Sequence, residues 1–312
     1  MTISASVIAD SISASGVRLT TFKLRYPRFI HAEFMTHRTF SRNASSSRAI
    51  PVAKMIEDLR RDPAMPVHWG SNQPGMQAGE EVNASLKSSC ESQWLKSMED
   101  CIRSAQMMYT LGGLHKQIAN RILEPWAHIN VVCTATDYAN FYALRRHKDA
   151  QPEIKVLADA MWDAQQDSTP FGLAPGEWHL PYIDWKPAYN RLMSDSQDWM
   201  AAEDQITGHG VLRVVPQEEQ VIEILKKVSV ARCARVSYLT HDGRPTSVEE
   251  DIALYNRLLG SSPLHASPAE HQATPDTTTG DTWTLFDHEF QHGNLTGWRQ
   301  LRKMLPNEFV PG

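Results

Sequence analysis

Between Glu81 and Leu111 apolar residues recur at helical spacing, at Leu86, Cys90, Trp94, Met98, Cys101, Ile102, Ala105 and Met108. That spacing predicts a long amphipathic helix, broken by Gly112-Gly113. Similar reasoning predicts shorter helices over Lys54 to Arg61, His115 to Leu123, Thr136 to Arg146, Glu153 to Gln166, Gln217 to Arg235, Val248 to Leu259 and Trp298 to Met304. Pro125 stops the second of these, because the residue before a proline is pushed out of the helical region. The stretch from Val17 to Phe34 is β-prone, and Pro27 within it predicts an edge or a bend rather than a central strand. Residues 62–79, 167–210 and 274–281 are rich in turn formers and read as loops. The chain is mostly helical with a modest sheet, and it carries no fixed-period repeat.

Composition narrows the class without naming a function. The 312 residues suffice for one large domain or two ordinary ones, and 41% hydrophobic with 21% charged residues reads as a globular protein. A net charge of −5 argues against a surface that coats nucleic acid, so any anion site is local. No run of about 18 apolar residues suggests a membrane span, and no charged start with an apolar core suggests a secretion signal, so a cytoplasmic setting is expected. Cys90, Cys101, Cys133 and Cys233 form no Cys-x-x-Cys pair and read as reduced, structural thiols; no metal site is expected.

The candidate chemistry begins at His37-Arg38-Thr39-Phe40-Ser41-Arg42-Asn43-Ala44-Ser45-Ser46-Ser47-Arg48. Three arginines, four serines, an asparagine and a histidine follow a strand-like run. Guanidinium forks among short hydroxyl donors suit a site for phosphates and a planar heterocycle. There is no Gly-x-Gly-x-x-Gly, which argues against a Rossmann-type dinucleotide site, and no Pro-Cys-His. Neither Cys133 nor Cys233 has an adjacent histidine to activate it as a nucleophile.

The segment resembles the signature Arg-His-Arg-x-x-Ser-x-Asn-Glu-x-Ser-x-Arg of the flavin-dependent thymidylate synthases. His37, Arg38, Ser41, Asn43, Ser46 and Arg48 match it, whereas Thr36 stands at the first Arg and Ala44 at the Glu. Lys116 to Leu123 is similar to the family's helix bearing a nucleotide-binding arginine, here Arg121. Asp137 to Glu153 is similar to the segment with a flavin-contacting asparagine and a base-binding arginine, here Asn140 and Arg145. Ala234-Arg235-Val236-Ser237-Tyr238 and His265-Ala266-Ser267-Pro268-Ala269-Glu270-His271 resemble two further family segments that would bring Ser237 and His271 to the flavin. These two pieces precede the signature in the family and follow it here, so the chain resembles a circularly permuted member. The domains expected on this basis are residues 1–166 as the signature and helical core, 167–228 as a loop-rich insertion, and 229–312 as the permuted piece completing the catalytic domain.

The resemblance implies an α+β fold, a homotetramer and a small-molecule enzyme with no nucleic-acid or membrane partner. The implied reaction moves a one-carbon unit from methylenetetrahydrofolate to C5 of deoxyuridine monophosphate (dUMP), with FAD as redox cofactor and NADPH as reductant. Ser46 and Arg48 would hold the 5′-phosphate, with Arg121 also on the nucleotide. Arg145 and Ser46 would be catalytic. A guanidinium facing the activated pyrimidine stabilises its growing negative charge by roughly 3 kcal/mol in a dry site. His37, Arg38, Ser41, Asn43, Asn140, Ser237 and His271 would bind the flavin. Glu33 stands where many members carry Gln and is assigned to the substrate; a carboxylate only accepts hydrogen bonds and suits the amino group of cytosine. Deoxycytidine monophosphate (dCMP) as substrate, a hydroxymethylated product, and a pairing of Glu33 with a nearby arginine all stay open. So does a catalytically inactive nucleotide- or flavin-binding module. Gly297 to Glu308 faintly echoes the signature, with Glu308 as a stand-in for the carboxylate lost at Ala44, or else forms a basic amphipathic terminal helix.

Overall fold

The computed structural model describes residues 3–184, 218–237, 239–240, 243–279, 285–306 and 308. It divides the chain into two compact units, residues 1–10 with 18–171, and residues 11–17 with 172–312.

In the first unit, strand β2 (Arg18–Pro27) pairs antiparallel with β4 (His128–Ala135), and β4 pairs antiparallel with β3 (Ser41–Ala44). With β1 (Ser4–Ser13) and β5 (Phe171–Leu173) the strand order is β3-β4-β2-β1-β5. The expected edge position for Pro27 is therefore corrected. β2 is a central strand, and Pro27 is its last residue, where the missing N–H interrupts no interior ladder bond. The chain bends there into a 3-10 turn (Arg28–Ile30) and the short helix α1 (His31–Phe34).

Period-two alternation puts Phe22, Leu24 and Tyr26 of β2 opposite Cys133, Val131 and Ile129 of β4 on one face. Helix α6 (Pro152–Gln166) joins the same core through Ile154, Leu157, Ala158 and Met161. A second core forms where α2 (Val52–Arg61) buries Val52, Met55, Ile56 and Leu59, an i, i+3, i+4, i+7 stripe. It packs with Met98, Ile102 and Ala105 of α3 (Ala84–Thr110). Asn83 caps α3 by accepting from the Leu86 N–H at 3.0 Å. Of the predicted stripe, Met98, Ile102 and Ala105 are buried, Met108 is half-buried and Leu86 is exposed. The expected helix over His115 to Leu123 is α4 (Lys116–Ala119) followed by a 3-10 segment (Asn120–Trp126), tightened by Pro125. Helix α5 (Ala139–Arg145) precedes α6.

The second unit contains α7 (Glu218–Arg235), α8 (Val248–Leu259), the antiparallel pair β6 (Ala273–Pro275) and β7 (Trp298–Gln300), and α9 (Leu301–Met304). The helix expected over Trp298 to Met304 is thus half strand, because Trp298 to Gln300 pair with β6 before the chain turns. Its core includes Trp178, Leu180, Val221, Leu225, Val230, Ala269 and Leu301. Asp251 of α8, fully buried, accepts from Arg232 Nε at 3.0 Å, Thr246 Oγ1 at 3.1 Å and Arg235, tying α7 to α8. Of the loops expected over 167–210 and 274–281, residues 185–210 and 280–281 lie outside the described residues. The α+β class expected from the sequence is borne out.

Candidate active site

The signature follows β2 and α1 and ends on β3. Arg145, at the last turn of α5, donates through Nε to His37 Nε2 at 2.9 Å and through Nη2 to Thr36 Oγ1 at 3.4 Å. Two stretches more than a hundred residues apart are thereby joined. Because a guanidinium in a protein only donates, Nε2 of His37 is the acceptor and the ring proton sits on Nδ1. Burial, with Arg145 and Arg42 beside it, lowers the His37 pKa to about 4, so the ring is neutral at physiological pH. The imidazole stacks on Phe40 and stands edge-on to Phe141, both of them core residues. Thr36 acquires a physical reason as well. An arginine there would set a second guanidinium against Arg145, whereas the threonine hydroxyl accepts from Arg145 and donates to the Glu33 carbonyl at 2.7 Å.

Arg42 clamps the turn before the signature by donating to the carbonyls of Met35 at 3.0 Å and Phe34 at 3.4 Å. Ser41 is buried and Asn43 half-buried on β3, both with polar partners, and Ala44 ends that strand opposite Val131. Arg38 and Asn140 are exposed, and their side chains have no hydrogen-bond or ion-pair partner among the described residues.

A second cluster holds the loop from Ser45 to Ile50. Ser47, buried, donates to Glu124 Oε1 at 2.5 Å, and the same carboxylate pairs with Arg121 at 3.0 Å and Arg28 at 3.3 Å. Asn120 donates to the carbonyls of Ser47 at 2.8 Å and Ile50 at 2.9 Å, and Lys116 to that of Ala49 at 2.9 Å. With its backbone fixed this way, the loop presents the exposed Arg48, whose N–H donates to Ser46 Oγ at 3.3 Å and whose guanidinium has no partner among the described residues. Glu124, Asn120 and Lys116 are the positioning residues that sequence reasoning missed. The Lys116 to Leu123 resemblance ran through two of them and drew attention only to Arg121.

Among the described residues Glu33 forms no ion pair, and its Oε2 is shielded from solvent without a hydrogen-bond partner. The alternative in which Glu33 pairs with an arginine is therefore not what the structure holds. Cys133 is buried and its thiol pushed up to about 12 by that burial, and Cys233 is likewise raised. Neither thiol is a nucleophile at neutral pH.

Ser237 and His271 belong to the second unit. Ser237 follows Val236, whose φ of 60° closes α7 in the left-handed region. Its hydroxyl both accepts from the Leu239 N–H and donates to the Leu239 carbonyl, each at 3.0 Å. His271 is fully buried, and burial with His179 nearby lowers its pKa to about 3. Glu308 pairs with Arg302 at 3.0 Å and Lys303 at 2.6 Å, which spends its charge locally. Among the described residues there is no cluster of metal-ligand type, and no helix is long and apolar enough to cross a membrane.

Residues 18–171 match the family Thy1, described as thymidylate synthase complementing protein. No curated protein matches the chain. Among solved structures, a UMP/dUMP methylase PolB from Streptomyces cacaoi, bound with 5-Br dUMP, is 17% identical over 53% of this chain and 90% of that one, with a TM-score of 0.43. The same protein bound with 5-Br UMP gives 18%, 53%, 88% and 0.45. The flavin dependent thymidylate synthase ThyX from Helicobacter pylori, complexed with FAD and dUMP, gives 15%, 47%, 67% and 0.34. The class is that of a flavin-dependent thymidylate synthase-like enzyme, as the sequence led us to expect. The matched residues, 18–171, contain Glu33, the signature, Arg121, Asn140 and Arg145.

Proposed function

We propose that the protein transfers a one-carbon unit from methylenetetrahydrofolate to C5 of a deoxypyrimidine monophosphate, with FAD as its cofactor. In the first form of this reading the substrate is dUMP, the product dTMP, and NADPH the reductant. The single observation that carries it is the Arg145 to His37 contact, which makes one cluster of the base-binding and flavin-binding motifs. Arg145 then faces the pyrimidine and offsets the charge that gathers on its carbonyl oxygens. Ser46, Arg48 and Arg121 take the 5′-phosphate, for which the unpartnered guanidinium of Arg48 is suited.

The donor set fits the flavin. Arg38 and Asn140 are exposed and uncommitted, and the neutral His37 offers its Nδ1–H, so phosphates and ring heteroatoms have partners. When bound, FAD supplies the hydride that turns a transferred methylene into a methyl group. Ser41 and Asn43 are proposed to hold it from β3. Ser237 and His271 are proposed as further contacts on their motifs alone, within a segment 229–312 that belongs to the same catalytic function, beside an insertion at 167–228. A homotetramer in the cytoplasm completes the reading, and exposed Leu86, Met107, Tyr109 and Leu111 supply apolar surface suited to self-association.

A second form is favoured by the unpartnered Glu33: the same transfer to dCMP, or a hydroxymethylated product. Hydroxymethylation takes up water in place of hydride and consumes no reductant, so NADPH use and product mass separate the two outcomes. The purified protein is expected to take up FAD and turn yellow. A yellow protein that never alters a nucleotide is an inactive binding module, and a colourless one that takes up no FAD overturns the proposal.

A further inference from the structure

We propose that Glu33 selects the base, and that the pyrimidine it selects carries an exocyclic amino group, as cytosine does. The inference rests on the nucleotide site proposed above and names what that site prefers.

Glu33 lies on α1, and its own carbonyl accepts from Thr36 Oγ1, the hydroxyl that also accepts from Arg145. It is thus one turn away from the group assigned to the base. Its Oε2 is closed off from solvent, yet among the described residues nothing donates to it. Of the arginines of this region, Arg38 and Arg48 are exposed and make no ion pair among the described residues, and the others are committed elsewhere. Arg145 is engaged with His37 and Thr36, Arg42 with the carbonyls of Phe34 and Met35, and Arg28 with Glu124. His31, two residues away, meets the Tyr26 hydroxyl at 2.9 Å.

A carboxylate oxygen removed from water without a donor is costly, and such a group in a native fold calls for an explanation. A ligand donor supplies one. The chemistry of that donor follows from the acceptor-only character of the carboxylate. Cytosine presents an amino group at C4, which donates. Uracil presents a carbonyl there, and its oxygen against the carboxylate is a repulsive contact. Uracil still has one N–H at N3, but that donor sits beside the offending carbonyl. A site built around a hydrogen bond rejects the analogue that cannot make it, because the buried partner is left unpaired.

The test is calorimetric titration of the FAD-loaded protein with dCMP and with dUMP, in the wild type and in Glu33→Gln. The wild type is expected to bind dCMP at least about tenfold more tightly than dUMP. In Glu33→Gln, whose amide both donates and accepts, the preference should vanish or invert, with FAD affinity unchanged. Equal binding or a dUMP preference in the wild type, a ratio unchanged in the variant, or an effect that falls on FAD instead would overturn the proposal. Wild-type dUMP preference that still depends on Arg48 removes the role of Glu33 and leaves the proposed function standing. Failure of the wild type to bind either nucleotide removes both.

Discussion

At position 145 the guanidinium does two jobs that a lysine cannot combine: it fixes the tautomer of His37 and keeps further N–H groups for a ligand. Replacing Arg145 by Ala is expected to lower turnover by about 100-fold, the scale of a lost electrostatic donor. It should also let the His37 pKa rise from about 4, because one of the two neighbouring cations is gone; NMR titration of the imidazole checks this. Arg48→Ala should raise the nucleotide dissociation constant by about tenfold, read by titration with the monophosphate, since a charge-assisted contact is worth roughly 1.5–3 kcal/mol. An unchanged constant would take the phosphate away from Arg48. The residues of this cluster were legible because signature positions are defined by spacing, and spacing survives the departures at Thr36 and Ala44. The neutral state of His37 and the stranded oxygen of Glu33 were not legible, since both depend on which groups burial leaves within reach.

At the level of elements, the second unit shows how a motif residue can serve the scaffold. Arg235 of the Ala-Arg-Val-Ser stretch, together with Arg232, is paired with the buried Asp251. Asp251→Ala is expected to cost about 3 kcal/mol in urea unfolding, because two partly buried guanidiniums and Thr246 lose their acceptor. A loss below about 1 kcal/mol would mean that solvent screens the cluster. The helices were read from the sequence nearly to the residue in the case of Val248–Leu259, where the capping box of Ser247 and Glu250 marks the start. The strands were read less well. β1 mixes serine and alanine with few large apolar residues, so its alternation is faint, and β4 is a short apolar run whose period alone does not separate strand from buried helix. β3 is only four residues long and is held by its register on β4 rather than by its own propensity.

For the molecule as a whole, histidines held neutral by burial set the response to acid. His37 and His128 in the first unit have pKa values lowered to about 4, and His271 in the second to about 3, from an ordinary value of 6.5. The unfolded chain therefore takes up protons first as the pH falls. Stability is fully present above pH about 6.5 and is lost from there down through the folded values. His271 alone should remove about 2 kcal/mol by pH 5. Urea midpoints at pH 7 and pH 5 check this, and equal midpoints would show that these rings are accessible to water. The division into two units was not visible in the chain, because the hairpin residues 11–17 belong with the later unit despite their early position. The central claim concerns chemistry, and isotope transfer tests it most directly. The FAD-loaded protein is incubated with NADPH, a deoxypyrimidine monophosphate and methylenetetrahydrofolate labelled in its one-carbon unit, and the nucleotide is analysed by mass spectrometry. The account predicts label on the base, as methyl or hydroxymethyl, and none when FAD is left out. Nucleotide recovered without label, or labelled equally without FAD, would contradict it.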